Sequence, residues 1–431
     1  MPYRAAEIEP LLAHSKAKAV VCRRMLKDFC PAEFVISLIS KTYTLKHVIA
    51  VGGDVPSLAH AFPGTNGSLD RDVSERPAAT DLFLLLYTSG TTAAPKGVPI
   101  VYRKFLPNAV LSARELGIDE RSIPLSAAPF IHLYGLFSLN LAFATGAATA
   151  LLPSYSPPAL AEALDRYRPS GIFVAPANMI ALLNEGLLTR ERLASLRFVL
   201  ISGSACPRDL AQAVQDLMPS GEVHQLWGMS ELQAGSFTRP GDDPSVRFKT
   251  AGRASPGTEL RVMLDNAPVP SGVEGDLQVR GHSLFEGYLD NIEATMGAFT
   301  ADGWFRTGDL ACIDAGGNLQ ITGRSKDIIN RGGVKFNPAD VEALIARHPS
   351  VAICAIVPAP HPVLGEHACC FAVLKDSADS LRLEDLCIWL GNHNVAKLKW
   401  PERLEVIDEM PMTPTQKIKK GELALRASES K

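Results

Sequence analysis

Short apolar runs separated by helix-patterned stretches constrain this chain more than any other feature. Residues 17–22, 48–51, 82–87, 171–175 and 198–202 form compact apolar runs. Strands covered on both faces read this way, because neither face meets water. Helix patterns fall between them at 158–167 and 207–217, the second with proline at its start. Such βα alternation predicts a mainly parallel sheet with helices on both faces.

The pattern changes after about residue 250, where residues 275–280 and 318–322 alternate apolar and polar side chains. Alternation of that kind belongs to half-exposed strands. Beyond Arg324 a shorter unit begins. Asn337 and Pro338 precede a helix expected to reach about residue 347, strands are expected at 351–357 and 368–374, and a helix at 383–390. The glycine pair in residues 324–333 permits the dihedral changes of a hinge. The expected fold is therefore α/β, with two domains. A large domain at 1–325 combines mainly parallel βαβ sheets with a β-rich subdomain, and a small, mobile α+β domain occupies 326–431.

Charge and cysteine usage narrow the function classes. A net charge of −3 gives no electrostatic basis for binding nucleic acid. The eight cysteines contain no C-x-x-C pair, which reads as reduced thiols in a cytoplasmic protein rather than a disulfide framework or zinc site. The first residues carry charges throughout and lack the apolar core of a secretory signal. Residues 122–160 contain no Asp, Glu, Lys or Arg, yet Asn140, Thr145, Gly146 and Thr149 interrupt the apolar part. A buried helix plus strand is expected there, and no stable membrane insertion.

Chemistry concentrates first in the segment Tyr87-Thr-Ser-Gly-Thr-Thr-Ala-Ala-Pro-Lys96-Gly97, which follows an apolar run. Thr88, Ser89, Thr91 and Thr92 supply hydroxyls, Gly90 lets the backbone approach closely, and Lys96 adds an ammonium. Those are the groups a polyphosphate needs from a loop. The segment lacks the second glycine that a Walker loop places before its lysine.

This loop resembles the signature loop of the adenylate-forming superfamily: acyl- and aryl-CoA synthetases, peptide-synthetase adenylation domains and luciferases. Five further segments occur in that superfamily's order. Ser202-Gly-Ser-Ala-Cys-Pro207 is similar to its adenine loop, and Leu226-Trp-Gly-Met-Ser-Glu231 to its aromatic–Gly–x–Ser/Thr–Glu motif. Gly303-Trp-Phe-Arg-Thr-Gly-Asp309 resembles its ribose motif, residues 323–333 its hinge, and Pro414-Thr-Gln-Lys417 its catalytic lysine loop.

The resemblance implies a role for each matching residue. Thr88, Ser89, Gly90, Thr91, Thr92 and Lys96 would hold the ATP phosphates, and Gly203, Ser204 and Ala205 the adenine. Trp227 would stack on the base, with Gly228 and Ser230 beside it, and Glu231 would hold Mg²⁺. Asp309 would accept the ribose hydroxyls, with Arg324 donating to ribose or phosphate. Lys417 would bridge substrate carboxylate and α-phosphate as the catalytic group, together with Glu231 and Thr88. Lys326 matches the hinge residue, and Gly332 and Gly333 the region that builds the pantetheine tunnel after the small domain rotates. His132 matches a position beside the acyl pocket and thiol entrance, either lining the site or serving as a base.

Three features depart from the superfamily's pattern. Ala93 stands where a small Gly or Ser is usual, and Gln416 where a Gly precedes the lysine. The resemblance aligns residues from Tyr3 onward with a segment well inside the large domain, which leads to the expectation that about a hundred residues of that domain are missing upstream. The expected activity is ATP-dependent activation of a small carboxylic acid to an acyl-adenylate, then transfer to coenzyme A. Loading of a carrier protein's phosphopantetheine, or an inactive shortened homologue with a binding role, are the alternatives.

Overall fold

The computed structural model describes residues 5–26, 29–62, 76–88, 95–375, 380–413 and 417–429. Contacts divide the chain into two units, residues 1–78 and 79–431. In the first unit, the parallel strands Ala19–Arg23, His47–Val51 and His60–Ala61 pair in that order. Val35 and Leu38 of the helix Pro31–Leu38 pack with Leu45 and Val48. The strand expected to be buried at 17–22 is half open, with Val21 57% exposed.

In the second unit a six-stranded sheet runs Arg253–Ala254, Gln233–Phe237, Glu222–Met229, Phe198–Ile201, Gly171–Val174 and Pro124–Ser126. The last four pair in parallel, and the first two join antiparallel. Side-chain alternation sorts this sheet onto two cores. Ile172, Val174, Val199 and Ile201 pack with Leu160, Leu164, Met179, Leu210 and Val214 from the helices Pro157–Tyr167, Pro176–Asn184 and Arg208–Leu217. Phe173, Phe198 and Leu200 point the other way, onto Ala109 and Ala113 of the helix Tyr102–Glu115 and Phe137 and Leu141 of the helix Leu133–Thr145. Helices thus cover both faces, which is why these strands read as continuous apolar runs.

The apolar stretch around residue 140 forms the buried helix Leu133–Thr145, which stops at Gly146 with φ +73°. The strand expected after it reduces to a single bridge between Leu125 and Ala150. The run at 82–87 also differs from expectation. It forms half of an antiparallel hairpin, Leu82–Thr88 with Lys96–Val101, and its first residue is 55% exposed. An apolar run records burial but not the direction of its partner.

A five-stranded antiparallel sheet follows, Ala267–Pro268, Thr258–Leu264, Gly275–Gly281, Phe305–Ile313 and Leu319–Arg324 in spatial order. From Ile329 onward the residues pack around two clusters of their own. One is built on Ile356, Cys370 and Leu386, and the other on Val357, Phe371 and Leu423. Their sheet pairs Val351–His361 with Gly365–Leu374, to which Arg403–Val406 adds in parallel. Among the described residues no helix is long and apolar enough to cross a membrane.

Candidate active site

Glu231 sits in the tight connection between Glu222–Met229 and Gln233–Phe237. It is 7% exposed, and burial raises its carboxyl above the usual range. Its own N–H, the Tyr288 hydroxyl, and the charges of Lys96 and Arg324 oppose that rise. The Tyr288 Oη–H donates to Glu231 Oε1 at 2.9 Å, and Lys96 Nζ lies 4.8 Å from the centre of the same ring.

Trp227 and Asp309 meet from different sheets: indole Nε1–H donates to Asp309 Oδ2 at 2.9 Å. The other carboxylate oxygen, Oδ1, lies 3.1 Å from Arg324 Nε, its cross-strand neighbour. Gly235 lies under the indole so closely that a Cβ there would sit 2.3 Å from Trp227 Cζ3. Trp227 is 8% exposed, so stacking a base on its face requires the ring or its cover to shift.

Lys417 approaches the end of the parallel sheet, where Gly203, at φ +97°, turns the chain after the strand Phe198–Ile201. A Cβ at Gly203 would lie 4.0 Å from Lys417 Cε. A hydrogen-bonded loop holds the lysine backbone: Lys417 N–H donates to Thr413 Oγ1 at 3.0 Å, and Thr413 N–H to the Lys417 carbonyl at 2.7 Å. By accessible surface Lys417 is an exposed residue, yet enough protein packs near its ammonium to penalise the charge. Burial lowers its pKa, the Arg324 charge lowers it further, and Asp309 works against both. His132 precedes the helix Leu133–Thr145 and has a lowered pKa, through burial first and then the charge of Lys417. Its Nε2 is buried without a partner among the described residues.

Of the residues singled out in the sequence, Lys96, Glu231, Trp227, Asp309, Arg324, Lys417, Gly203 and His132 are therefore linked by contact or by charge. Ser204 and Ala205 form an exposed rim beside Gly203. Gly228 meets the Gln233 carbonyl where a Cβ would be 2.1 Å away, and Ser230 lies in the same turn. Thr88 pairs with Lys96 at the end of the hairpin. Lys326, in the short turn Ser325–Asp327, has its pKa lowered by burial and by Arg324. Gly332 and Gly333 form a separate turn, where Gly332 N–H donates to the Leu364 carbonyl at 2.8 Å. Ser89, Gly90, Thr91 and Thr92, with the departures Ala93 and Gln416, lie outside the described residues. Sequence reasoning missed Tyr288; a tyrosine in an irregular loop has no spacing that marks it.

The model of the AMP-binding enzyme family matches residues 2–289, and that of the AMP-binding enzyme C-terminal domain matches residues 340–417. The chain belongs to the AMP-binding enzyme family. The medium-chain fatty-acid–CoA ligase of Escherichia coli K12 is 30% identical over 429 residues, covering 97% of this chain and 74% of the ligase. A salicylyl-CoA synthase / salicylate adenylyltransferase from a Streptomyces species is 30% identical, covering 98% and 78%. Among solved structures, an anthranilate CoA ligase in complex with anthranoyl-AMP superposes with a TM-score of 0.84 at 25% identity, covering 98% of this chain and 80% of that one. Within the AMP-binding enzyme family the expected α/β architecture stands, with a large N-terminal and a small C-terminal domain.

Proposed function

We propose that this AMP-binding enzyme is an acid–thiol ligase that converts a small carboxylic acid to its CoA thioester. The observation that carries the proposal is the position of Lys417, beside Gly203 and within the fields of Asp309, Arg324 and His132. An ammonium there can bridge an acid's carboxylate and the α-phosphate of ATP. The carboxylate oxygen attacks the α-phosphorus, the bond to pyrophosphate breaks, and the ammonium stabilises the gathering negative charge. In the second step a CoA thiolate attacks the acyl carbon, and the bond to AMP breaks. The relatives named as CoA ligases favour CoA over a carrier protein as acceptor.

Asp309 would hold the ribose hydroxyls with its remaining lone pairs, and Gly203, Ser204 and Ala205 would border the adenine. One buried carboxylate next to a phosphate loop also fits Mg²⁺, which is commonly held by one or two carboxylates plus substrate phosphates. Bound at Glu231, Mg²⁺ would neutralise phosphate charge. The same proposal places the domain boundary at 325/326, with Lys326 as hinge and Gly332–Gly333 brought to the thiol path by rotation. A cytoplasmic setting agrees with eight free cysteines.

ATP–pyrophosphate exchange across a panel of short, alicyclic and aromatic acids tests the reading. Acid-dependent exchange is expected. Folded protein that exchanges with none of them would leave the inactive, binding-only reading in its place.

A further inference from the structure

The segment 285–289 crosses between the two halves of the site and is pinned to both. Phe285 N–H donates to the Glu231 carbonyl at 2.8 Å, and Leu289 N–H donates to the Gly97 carbonyl at 2.9 Å. It is tied a third time where Tyr288 N–H meets Thr295 Oγ1 at 2.9 Å. This strap leaves the five-stranded sheet after the strand Gly275–Gly281. It thereby joins Gly97, on the hairpin that carries Lys96, to Glu231, on the turn of the six-stranded sheet. Midway along it, one side chain touches both charged groups: the Tyr288 hydroxyl on the Glu231 carboxylate and the Tyr288 ring under the Lys96 ammonium.

We propose that Tyr288 is a positioning residue of the nucleotide site, fixing the Glu231 carboxylate for a divalent cation and seating Lys96 against its ring. The inference rests on the nucleotide reading above and adds a residue to it. A carboxylate in a buried turn has several rotamers of similar energy, and one hydrogen bond from a rigid phenol selects among them. An ammonium on a four-carbon stem is restrained in the same way by an aromatic face. The strap then holds the backbones on which the two charges are mounted. The carboxylate for the cation and the ammonium for the phosphates are thus presented together, which reduces the ordering that a metal–nucleotide complex must impose.

A purely packing role is the competing account, since the Phe285 and Tyr288 rings meet edge-on at 4.9 Å. The two separate by metal dependence. On the full chain, calorimetry would measure the affinity for ATP in EDTA and for ATP with Mn²⁺, and the ratio of the two is the readout. Tyr288→Phe keeps the ring and loses the hydroxyl. We expect it to lower the Mn²⁺-dependent ratio on the order of tenfold while metal-free ATP affinity stays within about twofold. Tyr288→Leu also removes the seat of Lys96 and is expected to lower metal-free affinity as well. A Tyr288→Phe protein with the wild-type ratio overturns the proposal, and so does one that loses both affinities equally, as a packing role requires. Wild-type protein that binds no ATP in either condition overturns the nucleotide reading itself.

Discussion

Trp227 hands its indole N–H to Asp309, a carboxylate on another sheet, across 2.9 Å. The acceptor proposed for two ribose hydroxyls is thus already held by a neutral donor on one side and by Arg324 on the other. Its orientation is set before any ligand arrives, at the cost of lone pairs that the ligand must share. Asp309→Asn would keep the size and weaken every charge-assisted bond. ATP affinity is expected to fall about tenfold to a hundredfold, read by calorimetry in magnesium. An unchanged affinity would remove Asp309 from the nucleotide site.

The role proposed for Lys417 predicts that the two half-reactions can be separated. Lys417→Ala is expected to lose pyrophosphate exchange by on the order of a hundredfold or more, because the charge between carboxylate and α-phosphate is gone. Thioester formation from a supplied acyl-adenylate should persist in single-turnover measurements. Equal loss of both steps would contradict a lysine that serves activation alone.

The same residue predicts an alkaline limb. Burial and Arg324 lower the pKa of Lys417 from the ordinary lysine value of 10.5, so the ammonium is lost at a lower pH than a surface lysine's. Exchange activity should fall as pH rises through that lowered value, while transfer from a supplied adenylate does not follow the same limb. A flat exchange profile up to the ordinary lysine range would count against the placement.

Acid should destabilise the fold through His224, which is 1% exposed, with Nδ1 3.2 Å from Thr238 Oγ1. Its pKa falls from 6.5 to about 4, chiefly by burial and then by the Arg247 charge, with Asp242 opposing. Glu222 lies beyond the other ring nitrogen, 3.7 Å from Nε2. A depressed folded-state pKa means a contribution fully present above pH 6.5 and lost as pH falls through about 4. A gap of that size corresponds to about 3 kcal/mol. Urea unfolding between pH 7 and 4.5 should therefore show wild-type protein losing more stability than His224→Gln. Parallel losses in the two proteins would refute the assignment.

Gly235 sets how close the indole can lie. Gly235→Ala places a methyl carbon 2.3 Å from Trp227 Cζ3 and 2.9 Å from Leu232 Cδ2, inside any tolerable contact. Destabilisation of about 1–3 kcal/mol is expected from overpacking. Displacement of Trp227 from Asp309 should accompany it, seen as changed indole fluorescence and weaker ATP binding. A variant with wild-type stability and fluorescence would show that the ring has room to move.

What could be read in the sequence follows from how each signal is stored. Strands at 171–175 and 198–202 were legible because both faces are buried, and helix 207–217 because its buried Leu210, Ala211 and Val214 recur at helical spacing. The strand expected at 351–357 runs on to His361, through Pro358 and Pro360, which a sequence reader takes as breakers. They are accommodated because this strand lies at the edge of its sheet. The helix expected after Asn337-Pro338 to about residue 347 is the shorter Ala339–Ile345, started by Asn337 Oδ1 accepting the Ala339 N–H. Glu231, Asp309 and Lys417 were singled out only through the resemblance of their motifs to the superfamily's, because a lone Glu, a Thr-Gly-Asp run and a basic run each read as ordinary surface on their own. Tyr288 could not be singled out, because the contacts behind its proposed role reach partners 57 and 192 positions away, a relation that only folding creates.

The reach of Arg324 carries one more consequence. Its guanidinium pairs with Asp309 and bears on the protonation of Glu231, Lys326 and Lys417 alike. A guanidinium keeps its charge throughout the accessible pH range, so it offsets each of these titrations without tying one to another. Replacing that arginine by a neutral residue would retune three acids and bases at once. A limb that slides along the pH axis in that variant without changing shape therefore still carries one residue's signature, with the arginine setting only where it is written.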